Sequence, residues 1–439
     1  MKVAADAIDG SRSVTANMFL AQIQQSQNAT DILDLQGFSH QTQEIFDAFH
    51  ALFPAKPVMA TECCGCKSQR LEDWDLPRNF SSAFYDSTGI ANPQCVQKPQ
   101  WAAAYRTEYS AGIMTWTAHD YLGEPNGWPH ISASHGQFDL VQFPKAAASW
   151  YRAQYLAPLP TSDPGRPPVP AVNVAHIVES WQDNPVNHSR VIHVYTSGAF
   201  VRLLLNGGPA PGGEVQPVVP DTWSIFPAVA YSPGTLTAEA LAADGSTVIA
   251  THSRASFGAP AAIVLSLDAP SPTTGTGAAL LLDGSDVALV RATVVDAAGN
   301  QVMSGGGGGD GGVNISFSVT AGPGLIVGSG NGDPSDHVPN PTPWRFAYHG
   351  LARAVVRSTL DAATPDMVRA RRIAVDLEAG AGVRASRIMP VGGTPPTSLT
   401  VSASAPGLPT ASIAIPLSVD QADAVAAVAA ANVGVAALE

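Results

Sequence analysis

Residues 57–62 read PVMATE, a short apolar run that ends in a carboxylate. Three further apolar runs, over residues 14–17, 32–38 and 112–117, are likewise followed by polar residues. Between two of these runs, residues 41–52 carry apolar side chains at helical spacing, namely Ile45, Phe46, Phe49 and Leu52. Short strands that alternate with helices are typical of a parallel sheet. We therefore predict that the chain opens with an α/β region.

A proline-rich segment separates this α/β region, residues 1–157, from the rest of the chain. Residues 158–170 contain six prolines and are interpreted as a linker. Beyond them apolar and polar residues alternate between Asn-Gly and Asp-Gly turns, which is typical of β-sandwiches. We predict one sandwich over residues 171–258 and a second over residues 259–379. Residues 380–439 are interpreted as C-terminal strands and an Ala-rich helix or tail, which either complete a third small sandwich or pack against the second.

Individual strands are predicted within the two sandwiches from the same alternation. They lie at residues 191–195, 201–205, 236–240 and 247–250 in the first sandwich, and near residues 287–295 and 315–319 in the second. The fold class predicted from these patterns is a multidomain chain that combines α/β with all-β architecture.

Composition and charge restrict the class of partner. The chain of 439 residues has a formal net charge of −13 and only 13% charged residues, against a usual value of about 25%. An acidic surface without a basic stripe disfavours nucleic-acid binding. Because no apolar stretch reaches about eighteen residues, we also predict no membrane-spanning helix. Four glycosylation sequons fit secretion but also arise by chance, so the compartment is left open.

The four cysteines could bind a metal, form a disulfide or remain thiols. Cys63, Cys64 and Cys66 form one run, and Cys95 follows at a distance. Zinc binding is disfavoured because no Cys-x-x-Cys or paired Cys/His spacing is present. A disulfide from the run to Cys95 is one alternative, and structural or free thiols are the favoured one.

The residues that carry chemistry cluster in the α/β region. Glu62 ends an apolar run, and catalytic groups of β/α barrels lie at the carboxyl ends of strands. Trp116 ends another run and is followed by Asp120 and Glu124, a combination that suits a sugar because an indole stacks on its C–H face and carboxylates accept from its hydroxyls. From spacing alone, a Glu in the position of Glu62 is more often a solvated loop residue or a salt-bridge partner than a nucleophile, and Trp116 is alternatively a core residue and Asp120 a helix cap.

Longer motifs resemble those of glycoside hydrolase family 2, the β-galactosidase-like enzymes. Residues 112–125 and the downstream segments Trp128-Pro129, Gly136 to Leu140 and Phe143-Pro144-Lys145 resemble the end of the family's catalytic barrel. Arg12 to Ala16, Asp34 to His40 and Pro57 to Glu62 resemble its fifth, sixth and seventh barrel strands. The resemblance covers roughly residues 9–380 and implies the C-terminal half of a (β/α)8 TIM barrel, strands five to eight, followed by immunoglobulin-like β-sandwich domains.

The resemblance implies a role for each candidate site residue. Glu62 would be the nucleophile of a retaining mechanism, which attacks the anomeric carbon and forms a glycosyl-enzyme intermediate. Trp116 would form the platform of the sugar subsite, and His40 would hydrogen-bond the nucleophile or a substrate hydroxyl. Asp120 and Glu124 would contact sugar hydroxyls or support the loop.

One part of the family's machinery has no counterpart. The acid/base group is the Glu of an Asn-Glu pair that ends the fourth barrel strand, and no Asn-Glu pair occurs in these 439 residues. We therefore expect a fragment that is inactive alone, explained by an incomplete gene model, by a split enzyme completed by a complementary N-terminal half, or by degeneration. The first explanation is favoured.

The function expected from the resemblance is hydrolysis of terminal β-linked sugars, with galactose favoured over glucuronide and mannoside. The alternative is a non-catalytic carbohydrate-binding or scaffold protein with a vestigial barrel. A carbohydrate substrate is the expected partner, and a homo-oligomer is left open. No cofactor is identified, although Mg²⁺ or Na⁺ binding occurs among family members and no metal ligands are readable here.

Overall fold

The computed structural model describes residues 2–18, 29–65, 68–70, 101, 104–125, 127–156, 172–219, 222–268, 279–304, 312–360 and 396–419. Contacts divide the chain into two compact units, Met1–Ser256 and Phe257–Glu439. Three features of the sequence lie outside the described residues: the predicted linker at 158–170, the Ala-rich tail, and the cysteines Cys66 and Cys95. No helix among the described residues is long and apolar enough to cross a membrane.

The first unit opens with a parallel sheet. In chain order its elements are α1 (Lys2–Ile8), α2 (Ala29–Ile32), β1 (Gln36–Ser39), α3 (Gln43–Leu52), β2 (Val58–Cys63), β3 (Ser110–Thr115), β4 (Tyr121–Leu122), β5 (Ser132–Ala133) and α4 (Ala146–Tyr155). Strands β1, β2 and β3 are neighbours in that order and run parallel, and α3 connects the first two. The predicted alternation of strand, helix and strand is confirmed here.

Helix α3 covers one face of this sheet because its apolar residues recur on one side. Phe46 and Phe49 are buried and pack on Phe38 of β1, with ring centroids 5.3 Å away in both pairs. Leu52, which the sequence pattern placed on the same side, is 66% exposed because it closes the last turn of the helix. Helix α4 adds Trp150 to the same core.

Residues 14–18 run beside β1 although they form no regular strand. The amide of Ser39 donates to the carbonyl of Met18 at 2.9 Å, and the amide of Asp34 donates to that of Val14 at 3.1 Å. Gly37 permits this close approach, since a Cβ at that position would lie 2.2 Å from the carbonyl oxygen of Ala16. The predicted strand at residues 14–17 is therefore an extended segment at the edge of the sheet.

The rest of the first unit is a β-sandwich. Its strands are β6 (Ala175–Ile177), β7 (Ser189–Thr196), β8 (Phe200–Leu205), β9 (Gly208–Pro209), β10 (Gln216–Pro217), β11 (Ser224–Ala230), β12 (Thr235–Leu241) and β13 (Val248–Ala255). One sheet has the order β10-β8-β12-β13, with β9 paired to β8, and the other has the order β11-β7-β6. Asn206 and Gly207 both have positive φ and join β8 to β9 as the predicted two-residue turn. All four strands predicted in this sandwich are confirmed.

The second unit is also built from two sheets. Its strands are β14 (Ala262–Leu267), β15 (Leu280–Leu281), β16 (Val287–Val295), β17 (Asn314–Ala321), β18 (Gly324–Gly330), β19 (Trp344–Phe346), β20 (Leu351–Ser358), β21 (Ser398–Ala405) and β22 (Leu408–Ser418). The sheets have the orders β14-β16-β20-β18 and β15-β22-β21-β17-β19. Strands β21 and β22 come from the segment after residue 380, and they share a sheet with β17 because their apolar residues Leu399 and Val401 enter the common core.

Candidate active site

Glu62 lies near the carboxyl end of β2, where side chains from neighbouring elements converge. Its Oε2 accepts a hydrogen bond from Nδ2 of Asn17 at 2.7 Å and from Oγ of Ser39 at 3.2 Å. Its Oε1 lies 3.2 Å from Nε2 of His40. The sheet brings these residues together because parallel strands end at one edge.

His40 follows β1 directly and is held by backbone as well as side chain. Its amide donates to the carbonyl of Glu62 at 2.8 Å, and its φ of 52° turns the chain at this point. Because a carboxylate only accepts hydrogen bonds, Nε2 of His40 is the donor to Glu62. The His40 and Glu62 side chains are each 28% exposed, so both face a partly open surface.

These contacts keep Glu62 ionised. Burial raises the pKa of Glu62, but hydrogen bonds from Asn17, His40 and Ser39 outweigh burial and hold the pKa below its ordinary value of 4.5. A carboxylate that is ionised at neutral pH and still partly exposed is chemically suited to nucleophilic attack.

Trp116 follows β3 and reaches the same edge of the sheet. Its amide donates to the carbonyl of Cys63 at 2.7 Å, which fixes it beside the end of β2. Gly65 lies between Trp116 and His40, since a Cβ there would be 3.5 Å from Cδ1 of Trp116 and 3.5 Å from Cε1 of His40. The indole is 40% exposed. The structure thus places Glu62, His40 and Trp116 in one cluster.

Tyr121 and Glu124 extend this cluster. The ring of Tyr121 packs edge-on against Trp116 with centroids 5.8 Å apart, and its hydroxyl donates to Glu124. Burial raises the pKa of Tyr121, and the negative charges of Glu124 and Glu62 raise it further. Tyr121 therefore connects the predicted residue Glu124 to the Trp116 and Glu62 side chains.

Asp120 has a different environment from the other predicted site residues. Its side chain is 2% exposed and pairs with Nζ of Lys145 at 2.7 Å, while its Oδ1 also accepts from the amide of Gly136 at 2.8 Å. Burial raises the pKa of Asp120 to about 6, against the opposing charge of Lys145, so it is ionised at neutral pH. The structure does not bring Asp120 to the Glu62 cluster, and its contacts match the alternative of loop support, because Lys145 also binds the carbonyls of Ser68 and Ser134.

The cysteines adjoin the site in an arrangement that the sequence did not suggest. The structure joins Cys63 to Cys64 by a disulfide, and both are buried directly after Glu62. The favoured prediction of thiols is therefore wrong for Cys63 and Cys64. The chain turns at Cys64, where φ is 70°, and this turn brings the two sulfur atoms together.

Sequence reasoning missed Asn17, Ser39 and Tyr121. Asn17 ends the apolar run at residues 14–17 and Ser39 ends β1, so the rule that polar residues at strand ends carry chemistry would have selected both. Tyr121 gives no such signal, because only the packing of its ring on Trp116 relates it to the site. Among the described residues, no group of three or more His, Cys, Asp or Glu side chains could hold a metal ion.

Known proteins of glycoside hydrolase family 2 are similar to this chain in sequence and in fold. The family model described as glycoside hydrolase family 2 C-terminal domain 5 matches residues 275–372. The β-galactosidase BoGH2A of Bacteroides ovatus is 25% identical over 370 residues, which cover 80% of this chain and 39% of that protein. The resemblance to glycoside hydrolase family 2 is confirmed.

Two further proteins extend the comparison. A β-glucuronidase of Formosa agariphila is 28% identical over 270 residues, which cover 60% of this chain and 23% of that protein. A solved family 2 member from Bacteroides cellulosilyticus aligns with a TM-score of 0.63 at 18% identity, over 95% of this chain and 46% of that one. The chain therefore spans less than half the length of these relatives, and at this identity the structural match shows the fold.

Proposed function

We propose that this chain carries the nucleophile half of a retaining β-glycosidase, with Glu62 as the nucleophile. The observation that carries the proposal is the convergence of Asn17, Ser39 and His40 on the Glu62 carboxylate beside the exposed indole of Trp116. In this proposal the parallel sheet and residues 14–18 correspond to strands five to eight of a (β/α)8 barrel.

The reaction begins with Glu62 attacking the anomeric carbon of the terminal sugar. A bond forms between one carboxylate oxygen and that carbon as the bond to the leaving oxygen breaks. Asn17 and His40 keep the carboxylate ionised and aimed, while Trp116 stacks on the sugar ring. Water then attacks the anomeric carbon, the bond between that carbon and Glu62 breaks, and the proton of the water passes to the acid/base group.

The leaving oxygen also needs a proton from a second carboxyl about 5 to 5.5 Å from the first. The family's acid/base belongs to an Asn-Glu pair that this sequence lacks. The proposal therefore gives this chain the nucleophile and the sugar platform, and it leaves the acid/base to a part of the enzyme that these residues do not include.

The charges of the site favour a neutral sugar over a glucuronide. Glu124 adds a second carboxylate, which accepts from the hydroxyl of Tyr121, the residue that packs on Trp116, and it would repel the carboxylate of a glucuronic acid. Two buried cations of the described residues, Lys145 and Arg70, are paired with Asp120 and Asp139. We therefore propose a β-galactoside as the substrate class, in line with the activity named for the Bacteroides ovatus relative.

The test uses a substrate that needs no acid. A 2,4-dinitrophenyl 2-deoxy-2-fluoro-β-galactoside releases a phenolate that leaves without a proton, so the full chain is expected to form a covalent adduct. Intact mass spectrometry would show one added sugar, and peptide mapping would place it on Glu62. Glu62→Gln should abolish the adduct, whereas the control Glu239→Gln in the sandwich should retain it. An adduct on another residue, or none, would refute the proposal.

A further inference from the structure

A disulfide joins Cys63 and Cys64, the two residues that follow Glu62 in the chain. Cys63 ends β2, and its carbonyl accepts from the amide of Trp116 at 2.7 Å. Both cysteines belong to the hydrophobic core of the parallel sheet, where they are 1% and 3% exposed. A bond buried to this degree does not face a sugar, so its effect on the site must pass through the residues beside it.

The disulfide holds a turn of the backbone at Cys64. The φ angle of this residue is 70°, in the left-handed region that L residues other than glycine rarely adopt. A bond between the sulfur atoms of neighbouring residues closes a ring that includes the peptide between them, which restricts the backbone angles of both. Without this ring, Cys64 would return to the conformations that L residues prefer. The disulfide therefore maintains the turn.

Gly65 follows this turn and has two site residues as neighbours. A Cβ at Gly65 would lie 3.5 Å from Cε1 of His40 and 3.5 Å from Cδ1 of Trp116. His40 in turn holds Glu62, because its amide donates to the carbonyl of Glu62 at 2.8 Å and its Nε2 lies 3.2 Å from Oε1. A change of the backbone at Cys64 therefore displaces Gly65 and acts on His40 and Trp116 directly, and on Glu62 through His40.

We propose that the Cys63–Cys64 disulfide positions His40 and Trp116 around Glu62, so that breaking the disulfide slows attack by the nucleophile. The inference rests on the proposed function and adds a positioning element to the same site. Reduction by a dithiol transfers two electrons and two protons to the disulfide, which forms two thiols, and the dithiol is oxidised to a cyclic disulfide. Because thiols are tolerated in an apolar core, the fold should survive this step.

The test compares the oxidised and the reduced full chain in labelling by the 2-fluoro galactoside. Peptide mapping without reductant first identifies the Cys63–Cys64 bond, and the reductant is removed under nitrogen before the reagent is added. Reduction should lower the limiting rate of labelling at least roughly tenfold, with an unchanged far-UV circular dichroism spectrum, and reoxidation should restore the rate. A chain with Cys66→Ser and Cys95→Ser, in which one pair alone can form, should respond in the same way.

Two substitutions separate the bond from the turn that it maintains. Cys64→Ala and Cys64→Gly both remove the disulfide, and neither should respond to reductant. Glycine adopts positive φ without a steric cost and alanine does not, so Cys64→Gly should be labelled faster than Cys64→Ala. In His40→Ala, reduction should have a smaller effect than in the unaltered chain, because one side chain through which the bond acts is missing. A disulfide that only stabilised the fold would produce neither difference.

Hydrogen exchange reports the positions of His40 and Trp116 without a working nucleophile. Their amides, bonded to the carbonyls of Glu62 and Cys63, should exchange faster after reduction. Equal labelling rates in the two redox states, or a mapping without the Cys63–Cys64 bond, would overturn the inference and leave the nucleophile standing. Absence of labelling in both states would refute the proposed nucleophile, and exchange at the two amides would then decide the role of the disulfide by itself.

Discussion

Asn17 donates from Nδ2 to Oε2 of Glu62 at 2.7 Å, across 45 residues of chain. Its own Oδ1 accepts from Oγ1 of Thr61 at 2.8 Å, so the amide is oriented by the residue that precedes Glu62. Among the contacts that lower the pKa of Glu62, the bond from Asn17 contributes most. The extended segment at residues 14–18 thereby controls the protonation of a carboxylate on a strand two positions away.

Asn17→Ala should raise the pKa of Glu62, because the largest contact that favours its ionised form is removed. In the unaltered chain the rate of labelling by the 2-fluoro galactoside should fall only in acid, where the carboxylate of Glu62, whose pKa is held below its ordinary value, becomes protonated. In the variant the rate should begin to fall at a higher pH. Asn187→Ala, in the sandwich, is the control, and an unchanged profile for Asn17→Ala would contradict this account.

Gly37→Ala should disturb the site without changing any residue that contacts Glu62. The new Cβ would lie 2.2 Å from the carbonyl oxygen of Ala16, so residues 14–18 must move away from β1. We expect a loss of about 1 to 3 kcal/mol in the free energy of unfolding and the same upward shift in the labelling profile. At Gly208 a Cβ would have Leu205 at 3.8 Å as its nearest contact, which makes Gly208→Ala the control. Normal stability and an unshifted profile for Gly37→Ala would show that segment 14–18 does not position Asn17.

Lys145→Met should destabilise the loop that carries Tyr121. The substitution leaves the carboxylate of Asp120 buried and without its cation, which typically costs about 3 to 5 kcal/mol. Adding Asp120→Asn should recover part of this loss, because the charge is removed while an acceptor for the amide of Gly136 is kept. Arg202→Met breaks a more exposed pair with Glu239 and should cost at most about 1 kcal/mol. Chemical denaturation would give the free energy of unfolding of the two single variants and the double variant. An equal loss of stability in Lys145→Met and Arg202→Met would refute the argument.

The sandwich of the first unit should lose stability in mild acid. Burial lowers the pKa of His252 to about 3 and that of His176 well below its ordinary value, and the two rings lie 4.6 Å apart. The unfolded chain therefore binds protons below about pH 6.5 that the folded chain excludes, so stability is full above that pH and falls as the pH drops.

The expected slope is about 1.4 kcal/mol per pH unit for each histidine. His252→Asn should lower the slope by the contribution of one histidine, because asparagine does not titrate. The fold should be kept, since the amide oxygen of asparagine can replace the Nδ1 that accepts from the amide of Ile177. Denaturant titrations between pH 7.5 and about 5 would decide, and a slope that is the same in the variant and the unaltered chain would contradict the role of His176 and His252.

Much of the fold was predictable because its signals are local. The helical spacing of Phe46 and Phe49 predicts α3, and the alternation of residues 201–205 and 236–240 predicts β8 and β12. The Asn206-Gly207 turn follows from the backbone angles those residues tolerate. Segment 14–18 was less predictable, since its path beside β1 depends on a missing side chain at Gly37.

The candidate site was predictable only in part. Glu62 and Trp116 were selected by their positions at the ends of apolar runs and His40 by the resemblance to glycoside hydrolase family 2, and the structure places the three together. Asp120 was selected with them, but its position near Lys145 depends on residues 25 apart in sequence that meet in a buried pair. No local pattern distinguishes a carboxylate that faces substrate from one that faces a buried ammonium group.

By itself the amino-acid sequence determined the periodic elements and the family resemblance, because propensity, turn chemistry and motif spacing act between near neighbours in the chain. Tertiary structure alone decided that Asn17 and Ser39 bind Glu62, that Asp120 is buried, and that Tyr121 joins Trp116 to Glu124. These relationships arise because parallel strands bring their carboxyl ends to one edge, so that groups far apart in sequence share a local dielectric and a common set of hydrogen bonds.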